Sequence, residues 1–415
     1  MFMPLPRSDM EAGIRIFERC NELALLSEDT DALTRVYLSQ QHQQVNQRVG
    51  TWMRDAGMQV WQDAVGNICG RYEGMKPNAP ALLLGSHLDT VRNAGKYDGM
   101  LGVITAIELV SRFHQQNKRF PFAIEVVGFG DEEGVRFGVT LLGSRGLTGS
   151  WESHWLDKRD NQGISLAQAL RDFGLAPDHI DQAKRKPSDL IGYLELHIEQ
   201  GPLLESNDLA LGVVTAINGA KRLNFSFKGV AGHAGTVPMS LRQDALVGAS
   251  ELILAIESIA QAFEVVATVG KIECHPGAVN VIPSDISFSL DIRAPDNQQR
   301  DAALWEITKA AKEITERRNL TLSYDCFYNS DATPCSVVLQ QKLTKAVMAV
   351  QGRSLSLASG AGHDAIAMAS LCDVGMLFMR CEGGISHNPL EAIQIEDINM
   401  AINVLVHTLY SLSEA

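Results

Sequence analysis

Ala81-Leu-Leu-Leu-Gly-Ser-His-Leu-Asp-Thr90 sets a short, nearly continuous apolar run directly before polar residues. Such a run is typical of a strand that is buried on both faces of a parallel sheet. Residues 122–130 form a second run of β-branched and aromatic residues, and residues 99–116 between the two have helical spacing. This alternation of strand and helix predicts an α/β domain with a mostly parallel sheet.

The pattern changes near residue 211. Strand, helix, strand, strand, helix and strand are predicted in turn over residues 222–228, 242–263, 265–273, 285–293, 301–318 and 320–327. This order is the split βαβ pattern of a ferredoxin-like α+β domain. After residue 333 the chain returns to α/β character and ends in an amphipathic helix. We therefore expect a small domain, 213–331, inserted into a large domain made of 1–212 and 332–415.

Composition narrows the class of protein. The 415 residues include 45% hydrophobic and 20% charged residues and carry a formal net charge of −13. That charge repels phosphate backbones and anionic membranes, which argues against nucleic-acid or membrane partners. Seven scattered cysteines without a CxxC pair indicate a reduced, cytoplasmic protein. The first residues do not resemble a signal peptide, and no apolar run approaches the ~18 residues of a membrane span.

Polar residues with the chemistry of metal ligands follow the predicted strands. They occur in five motifs: His87-Leu-Asp89, Tyr97-Asp-Gly99, Asp131-Glu-Glu-Gly134, Glu195-Leu-His-Ile-Glu-Gln-Gly201 and Ile385-Ser-His-Asn-Pro389. In open α/β sheets, binding sites form outside the carboxyl ends of the strands. We therefore expect these side chains to meet at one edge of the sheet.

The spacing of the first motifs suits metal binding. His87 and Asp89 are two residues apart, so a strand would place both side chains on one face. A metal-bound histidine usually donates its other ring nitrogen to a carboxylate, which Asp89 would supply. Asp98 is a candidate for bridging two cations. Of the pair Glu132 and Glu133, one would bind metal and the other would remain a free carboxylate.

Two histidines, His197 and His387, would complete two shells of nitrogen and oxygen ligands suited to Zn²⁺ or Mn²⁺. Two metals a few ångströms apart can activate water and polarise a carbonyl. A single histidine beside a strand is more often a hydrogen-bonded core residue, and an acidic run is usually a solvated turn. The prediction therefore depends on the whole ordered set of motifs.

Two other readings of the sequence are weaker. Residues 360–365 fit the GxGxxA pattern of dinucleotide-binding proteins. That pattern also requires a continuous βαβ unit, which Pro389 and the His-Asn-Pro motif interrupt. Serine-based hydrolysis has no support, because the sequence contains no GxSxG motif.

The motif set resembles the M20-type family of metal-dependent amidohydrolases and peptidases, which includes aminoacylases and dinuclear dipeptidases. Within it, the hydantoinase/carbamoylase branch of N-carbamoyl-L-amino-acid hydrolases and allantoate amidohydrolases is most similar. The markers of that branch are residues 195–201, 232–238, 360–364 and 385–389. In the peptidase branch a carboxylate usually occupies the position of His197. The resemblance runs from about residue 10 to the end of the chain.

The resemblance implies a role for each residue of the motifs. One metal would be held by His87, Asp98 and His197, and the other by Asp98, Glu133 and His387. Glu132 would transfer a proton from water to the leaving nitrogen, and Asp89 would orient His87.

The resemblance also implies a substrate site and a homodimer. His233 would donate a hydrogen bond to the oxyanion in the site of a partner subunit, with the inserted lid domain forming the dimer. Arg293 and Asn280 would bind the substrate carboxylate. The ureido group would contact Gln200, Gly362 and His363.

These implications predict an enzyme that cleaves the carbamoyl C–N bond of a ureido acid and releases ammonia and CO₂. Allantoate and N-carbamoyl-L-amino acids are the candidate substrates, and we lean towards allantoate. A metallo-exopeptidase or aminoacylase on the same scaffold is the alternative enzyme. A non-catalytic protein that retained the fold is the alternative from another class, and the intact Glu132 argues against it.

Overall fold

The computed structural model describes residues 7–414. The initial residues 1–6, part of the segment on which the signal-peptide prediction depends, lie outside this range. The chain divides into two compact units. The first contains the residues up to Thr215, Cys335–Leu357 and the residues from Ala361 onward, and the second contains Ala216–Pro334 and Ala358–Gly360. The predicted domain boundaries are 212/213 and 331/332. They lie close to the points where the chain passes from the first unit to the second, after Thr215, and back again, after Pro334.

The described residues form the following strands and α-helices. The strands are β1 Gln59–Gln62, β2 Ile68–Tyr72, β3 Ala81–His87, β4 Ala123–Phe129, β5 Leu190–Ile198, β6 Leu211–Ile217, β7 Gly219–Lys228, β8 Val266–Thr268, β9 Ile272–His275, β10 Asp285–Ala294, β11 Thr321–Ser330, β12 Thr333–Pro334, β13 Ser356–Ser359 and β14 Val374–Met379. The helices are α1 Arg7–Ala24, α2 Gln40–Asp55, α3 Met100–Gln115, α4 Leu142–Thr148, α5 Leu166–Asp172, α6 Leu203–Ser206, α7 Ala245–Ala262, α8 Asn297–Arg318, α9 Val337–Gln351, α10 Ala365–Met368 and α11 Ile395–Ser413.

The large sheet is mixed, so the prediction of a mostly parallel sheet is wrong for its edges. The strand order is β1-β2-β4-β3-β5-β14-β6-β12, with β13 also paired to β6. The four central strands, β4-β3-β5-β14, run parallel. The pairs β1–β2 and β2–β4 are antiparallel on one side, and β14–β6 is antiparallel on the other. A tight turn joins β1 to β2, and a connection this short permits only antiparallel pairing.

Apolar packing fixes the central strands. Every residue of β3, β4 and β14 is buried, as expected for strands covered on both faces. Helix α3 packs directly on β3, and its residues Val103, Ile107 and Val110 belong to the same core as Leu82 and Leu84. The carboxyl ends of four parallel strands therefore share one rigid edge.

The second unit has the predicted order of strands and helices, except that the predicted strand 265–273 is divided into β8 and β9. Its antiparallel sheet runs β11-β7-β10-β8, and β9 also pairs with β10. Ten consecutive residue pairs join β7 to β10. Phe225, Phe227, Phe288 and the apolar residues of α7 and α8 form one core on one face of this sheet. The topology is that of a ferredoxin-like α+β fold.

Helix α7 corrects one expectation from the sequence. It is long and apolar enough to span a membrane by length and composition alone, with a mean hydropathy of 1.4. The expectation that no segment approaches that length therefore fails for α7. In the structure Ala249, Leu252 and Ile256 pack in the core of the second unit. Glu251 pairs with Arg317 and Arg318 of α8, which suits a helix with one wet face.

Candidate metal centre

Five predicted ligands meet at the shared edge of the central strands. His87 ends β3, and His197 lies one residue before the end of β5. Glu133 follows β4, and Asp98 precedes α3 by two residues. His387 lies in the loop between β14 and α11. Because parallel strands end at the same edge, segments far apart in sequence arrive at one place.

Asp98 is the centre of the cluster. Its Oδ1 lies 3.3 Å from His87 Nε2 and 3.1 Å from His197 Nε2. Its Oδ2 lies 3.2 Å from His387 Nε2. Glu133 Oε1 is 3.5 Å from the same nitrogen of His387. The structure thus brings together two candidate ligand sets that share one carboxylate, His87–Asp98–His197 and Asp98–Glu133–His387.

The electrostatics of the cluster depend on these short contacts. Burial alone would raise the pKa of Asp98, but hydrogen bonds with His197, His387 and His87 outweigh it and hold that pKa well below its ordinary value. Burial would lower the pKa of His87, but its hydrogen bond with Asp98 and the charge of Asp89 raise that pKa well above its ordinary value. Without metal, protonated histidines therefore supply the positive charge beside Asp98 that bound metal ions would supply.

Asp89 is placed differently from its predicted role. His87 Nδ1 is 3.0 Å from the main-chain oxygen of Asp89, whereas the nearest carboxylate oxygen is 3.7 Å away. The two carboxylate oxygens accept hydrogen bonds from the main-chain amides of Glu132 and Glu133, at 3.1 and 3.2 Å. The main chain of Asp89 therefore orients His87, and its side chain holds the following acidic pair. Carboxylates readily accept hydrogen bonds from main-chain amides, which explains why the Asp89 side chain binds these amides and not the ring of His87.

Glu132 is buried, with 9% of its surface exposed. Burial raises its pKa well above the ordinary value, and the charges of Glu133 and Asp364 act in the same direction. Burial also raises the pKa of Glu133, to about 7. A carboxyl group with a raised pKa near a metal cluster is suited to accept and return a proton.

Gln200 and His387 have left-handed backbone conformations, with φ of 58° and 52°, and Asp131 has φ of 61°. Non-glycine residues rarely adopt such angles, which cost roughly 1–3 kcal/mol each when the surroundings impose them. Gln200 Nε2 donates to Asp98 Oδ2 at 2.9 Å. Gln200 is predicted to contact the ureido group, and its side chain binds the shared carboxylate of Asp98 in the structure.

Glycine at position 99 has a physical reason. Its φ is 75°, and a Cβ there would lie 2.6 Å from the ring of His87. The Asp98-Gly99 pair therefore lets the loop turn beneath the imidazole.

His363 and Gly362 lie on the other side of the cluster. The rings of His363 and His197 are 4.5 Å apart in an edge-to-face contact, and His363 is buried. Burial lowers the pKa of His363 well below its ordinary value, so the ring is neutral. A Cβ at Gly362 would lie 3.3 Å from Glu132 Oε1. His363 therefore packs against a metal-ligand candidate, and Gly362 leaves open space beside Glu132.

Sequence reasoning missed a buried carboxylate behind the cluster. Glu195 accepts hydrogen bonds from Ser86 Oγ and Tyr193 OH, each at 3.0 Å, and from the amide of Ala365 at 3.2 Å. It thereby joins β3, β5 and the segment that carries His363. Its spacing two residues before His197 in β5 is a signal that was available, since alternate strand residues share a face.

The remaining predicted residues lie in the second unit. His233 and Asn280 are exposed, and Gly235 donates its amide to His233 Nδ1 at 3.1 Å. His233 and Val281 form an isolated β-bridge, which places His233 and Asn280 on adjacent segments.

Arg293 lines a cavity of about 550 Å³ in the second unit, with Arg222, Asp291 and Phe327 among its neighbours. Its Nε and Nη2 donate to Asp291 at 2.8 and 2.9 Å, and Nη1 donates to the oxygen of Gly360 at 2.7 Å. A guanidinium has five N–H donors. These bonds therefore leave one N–H on each terminal nitrogen for a ligand.

The donor set fits a pair of divalent metals. It consists of imidazole nitrogens and carboxylate oxygens, the ligands that Zn²⁺ and Mn²⁺ accept. The ligand atoms of each candidate group lie within 4.8 Å of one another. His87 and His197 direct their other ring nitrogens at main-chain oxygens, at 3.0 and 2.8 Å. Such outer hydrogen bonds hold the tautomer in which Nε2 is free to bind a metal.

Comparisons with known proteins place this geometry in context. Residues 83–411 match Peptidase family M20/M25/M40. The chain is 39% identical to an N-carbamoyl-L-amino acid amidohydrolase of Geobacillus stearothermophilus, over 98% of this chain and 100% of the relative. It is 40% identical to an allantoate deiminase of Arabidopsis thaliana, over 92% and 79% of the two chains.

Among solved structures, a hydantoinase/carbamoylase family amidase from Burkholderia multivorans matches with a TM-score of 0.89 and 29% identity. The match covers 96% of this chain and 97% of the amidase. The family match spans most of the chain and includes every strand end that carries a ligand candidate of the first unit. The chain therefore belongs to peptidase family M20/M25/M40, as the motifs predicted.

Proposed function

We propose that this protein is a metal-dependent amidohydrolase that cleaves the carbamoyl C–N bond of a ureido acid, with allantoate favoured over N-carbamoyl-L-amino acids. The observation that carries the proposal is Asp98, whose two carboxylate oxygens face His87 and His197 on one side and His387 on the other. Glu132 lies buried beside this arrangement. Relatives named for both substrates, at 39% and 40% identity, support the reaction class.

Two divalent metals would be held by the two sets that share Asp98, and they supply Lewis acidity to a carbonyl and a water when bound. Glu132 takes the proton from the attacking water at its carboxylate and delivers it to the leaving nitrogen. Its raised pKa favours this return of the proton. Proton transfer of this kind contributes typically about 10²–10⁴-fold to the rate.

The remaining residues of the proposal select the substrate. The free N–H groups of Arg293 bind the carboxylate of the substrate, and Asn280 adds a second donor. Gln200 and the open space at Gly362 accommodate the ureido group beside Glu132. His363 keeps the ring of His197 in place in the structure, and its predicted contact with the ureido group is part of the proposal.

The deciding experiment measures ammonia release by the full-length protein loaded with Mn²⁺ or Zn²⁺. Allantoate is compared with a panel of N-carbamoyl-L-amino acids at matched concentrations. Turnover of allantoate alone supports the proposal in full. Turnover of carbamoyl amino acids alone corrects the substrate but leaves the bond and the reaction unchanged.

A dipeptide and an N-acetyl amino acid complete the panel, because the alternative function is a metallo-exopeptidase or aminoacylase. Turnover of these two, with no ammonia from any ureido acid and two metals bound, would overturn the proposal in favour of that alternative.

We also propose a cytoplasmic homodimer formed by the second unit, with His233 serving the site of the partner subunit. The test mixes a His233→Ala chain with a Glu132→Gln chain. Half of the dimers in a random mixture combine the two chains, and each of these has one intact site. Activity should therefore recover to about a quarter of the wild-type value, from near zero in either parent. No recovery in mixed dimers shown to form would contradict the exchange.

A further inference from the structure

Glu391 is a buried carboxylate that the proposed reaction does not use. It lies between β14 and α11, and 3% of its surface is exposed. Its Oε1 accepts hydrogen bonds from the main-chain amides of Tyr97, at 2.7 Å, and Asp98, at 3.2 Å. Its Oε2 is 3.0 Å from the hydroxyl of Ser386. All three donors belong to the two loops that supply Asp98 and His387.

The partners of Glu391 do not include a cation. Among residues 7–414, no ion pair joins Glu391 to a lysine, arginine or histidine within 4.0 Å. A carboxylate buried without a cation costs stability unless its oxygens are satisfied by hydrogen bonds. Here those hydrogen bonds come from the loops of the metal centre, which indicates a role in that centre.

Glu391 reaches the shared ligand along two routes. It binds the main-chain amide of Asp98 directly. Its other oxygen lies 3.0 Å from the hydroxyl of Ser386, which also lies 3.0 Å from Asp98 Oδ2, so the single hydroxyl proton is donated to one of these two carboxylates at a time. Ser386 immediately precedes His387. One side chain therefore spans both the loop of the shared carboxylate and the loop of the last histidine.

Gly95 provides the space for this contact. A Cβ at that position would lie 2.2 Å from Cδ and 2.3 Å from Oε1 of Glu391. Any larger residue at 95 would therefore displace the carboxylate from the two amides. The close approach of Gly95 to Glu391 is a packing observation, separate from the hydrogen bonds. Both observations require the carboxylate to lie at the same position.

We propose that Glu391 is a positioning residue that sets the distance between Asp98 and His387 and thereby the affinity of the second metal. The inference rests on the proposed metal centre, because it assigns the role of Glu391 within that centre. Groups that orient metal ligands typically contribute about 10–100-fold to metal affinity or activity.

The test is calorimetric titration of the metal-free, full-length protein with Mn²⁺, with thermal unfolding recorded on the same samples. Glu391→Ala should weaken one of the two binding events by about 10–100-fold and leave the other unchanged. Glu391→Gln should stay close to the wild type, because its amide oxygen still accepts from two N–H groups and its NH₂ can donate to Ser386 Oγ. Gly95→Ala should resemble Glu391→Ala, since it moves the same carboxylate.

Glu108→Ala is the matched control. Glu108 is also a buried carboxylate, 4% exposed, but it pairs with Arg15 and Arg19 of α1 instead of with the main-chain amides of the site loops. This variant should lower the unfolding temperature and leave both Mn²⁺ affinities unchanged.

Three results would overturn the inference. The first is wild-type Mn²⁺ affinity in Glu391→Ala, and the second is an equal loss of affinity in Glu108→Ala. The third is a loss in Glu391→Gln as large as in Glu391→Ala. A wild-type protein that binds fewer than two Mn²⁺ would overturn the metal centre together with this inference. Two bound Mn²⁺ without ureido-acid turnover would refute only the proposed substrate.

Discussion

The two units of the molecule carry their candidate functional residues in opposite ways. In the first unit, His87, Asp98 and His197 are at most 4% exposed, and the exposed His387 is held 3.2 Å from Asp98 and 3.5 Å from Glu133. In the second unit, His233 and Asn280 are exposed on a surface. The ligands of the proposed metal centre are thus in place within one unit, whereas the proposed substrate contacts are divided between units.

This difference separates two tasks of the proposed enzyme. Metal binding requires fixed distances between ligand atoms, so it needs a rigid edge of buried strands. The proposed substrate contacts include exposed residues of the second unit, and exposed positions tolerate variation. Changes in the first unit should therefore act on turnover and metal affinity, and changes in the second unit should act on the apparent affinity for substrate.

The largest effect is expected for Glu132→Gln. An amide cannot accept the proton of the attacking water, so kcat should fall by about 10²–10⁴-fold. Steady-state ammonia release measures this fall, and calorimetry with Mn²⁺ should show both metals still bound. Full turnover in this variant would show that Glu132 is not the proton carrier.

Arg293→Ala should act on KM rather than kcat. Loss of charge-assisted hydrogen bonds to a carboxylate is worth about 1.5–3 kcal/mol, which corresponds to roughly a 10–100-fold rise in KM. Arg293→Lys is the matched variant. Its KM should lie between the values for the wild type and for Arg293→Ala, because lysine keeps the charge but not the planar fork. A fall in kcat at unchanged KM would break the contrast between the units.

Metal affinity should depend on pH near neutrality. Burial raises the pKa of Glu133 to about 7, and the hydrogen bond with Asp98 raises that of His387. A raised pKa favours the protonated side chain, so protons compete with metal below pH 7. Apparent Mn²⁺ affinity should therefore rise with pH through neutrality, by about tenfold per pH unit below pH 7, and the raised pKa of His87 should extend this dependence above pH 7. Titrations between pH 6 and 8 that show constant affinity would contradict this protonation pattern.

The smallest effect should come from an ion pair of the second unit. Glu251 of α7 contacts Arg317 and Arg318 of α8 at the surface. Such pairs contribute about 0–1 kcal/mol, so Glu251→Ala should lower the free energy of unfolding by less than about 1 kcal/mol in urea. Glu108→Ala, which empties a buried position beside two arginines, should cost about 3 kcal/mol. Equal losses would show that the two units do not differ in this respect.

Much of the architecture could be predicted from local patterns. The strand ending at His87 and the helix that follows Gly99 are where the apolar spacing placed them. The buried strand β14 was not predicted individually, although its six apolar residues follow the same rule. The antiparallel edges of the large sheet were also missed, because pairing direction depends on which strands become neighbours in space.

The candidate site was predictable to the level of residue types. Motifs identified the side chains that meet around Asp98, but not the partners of each. Asp89 was expected to bind His87 through its carboxylate, whereas that carboxylate binds two amides of the next strand end. Glu391 gave no signal, because its partners are main-chain amides that lie almost three hundred positions away in the chain.

The left-handed backbone at Asp131, Gln200 and His387 has a consequence for protein engineering. Libraries that seek a new substrate range would naturally vary Gln200, which lies beside the reacting group. Residues other than glycine, asparagine and aspartate adopt such a φ at an energetic cost, so each substitution at Gln200 would combine a change in backbone energy with its effect on the substrate. Diversity is better introduced at Arg222, which lies in the extended strand β7 and lines an existing cavity.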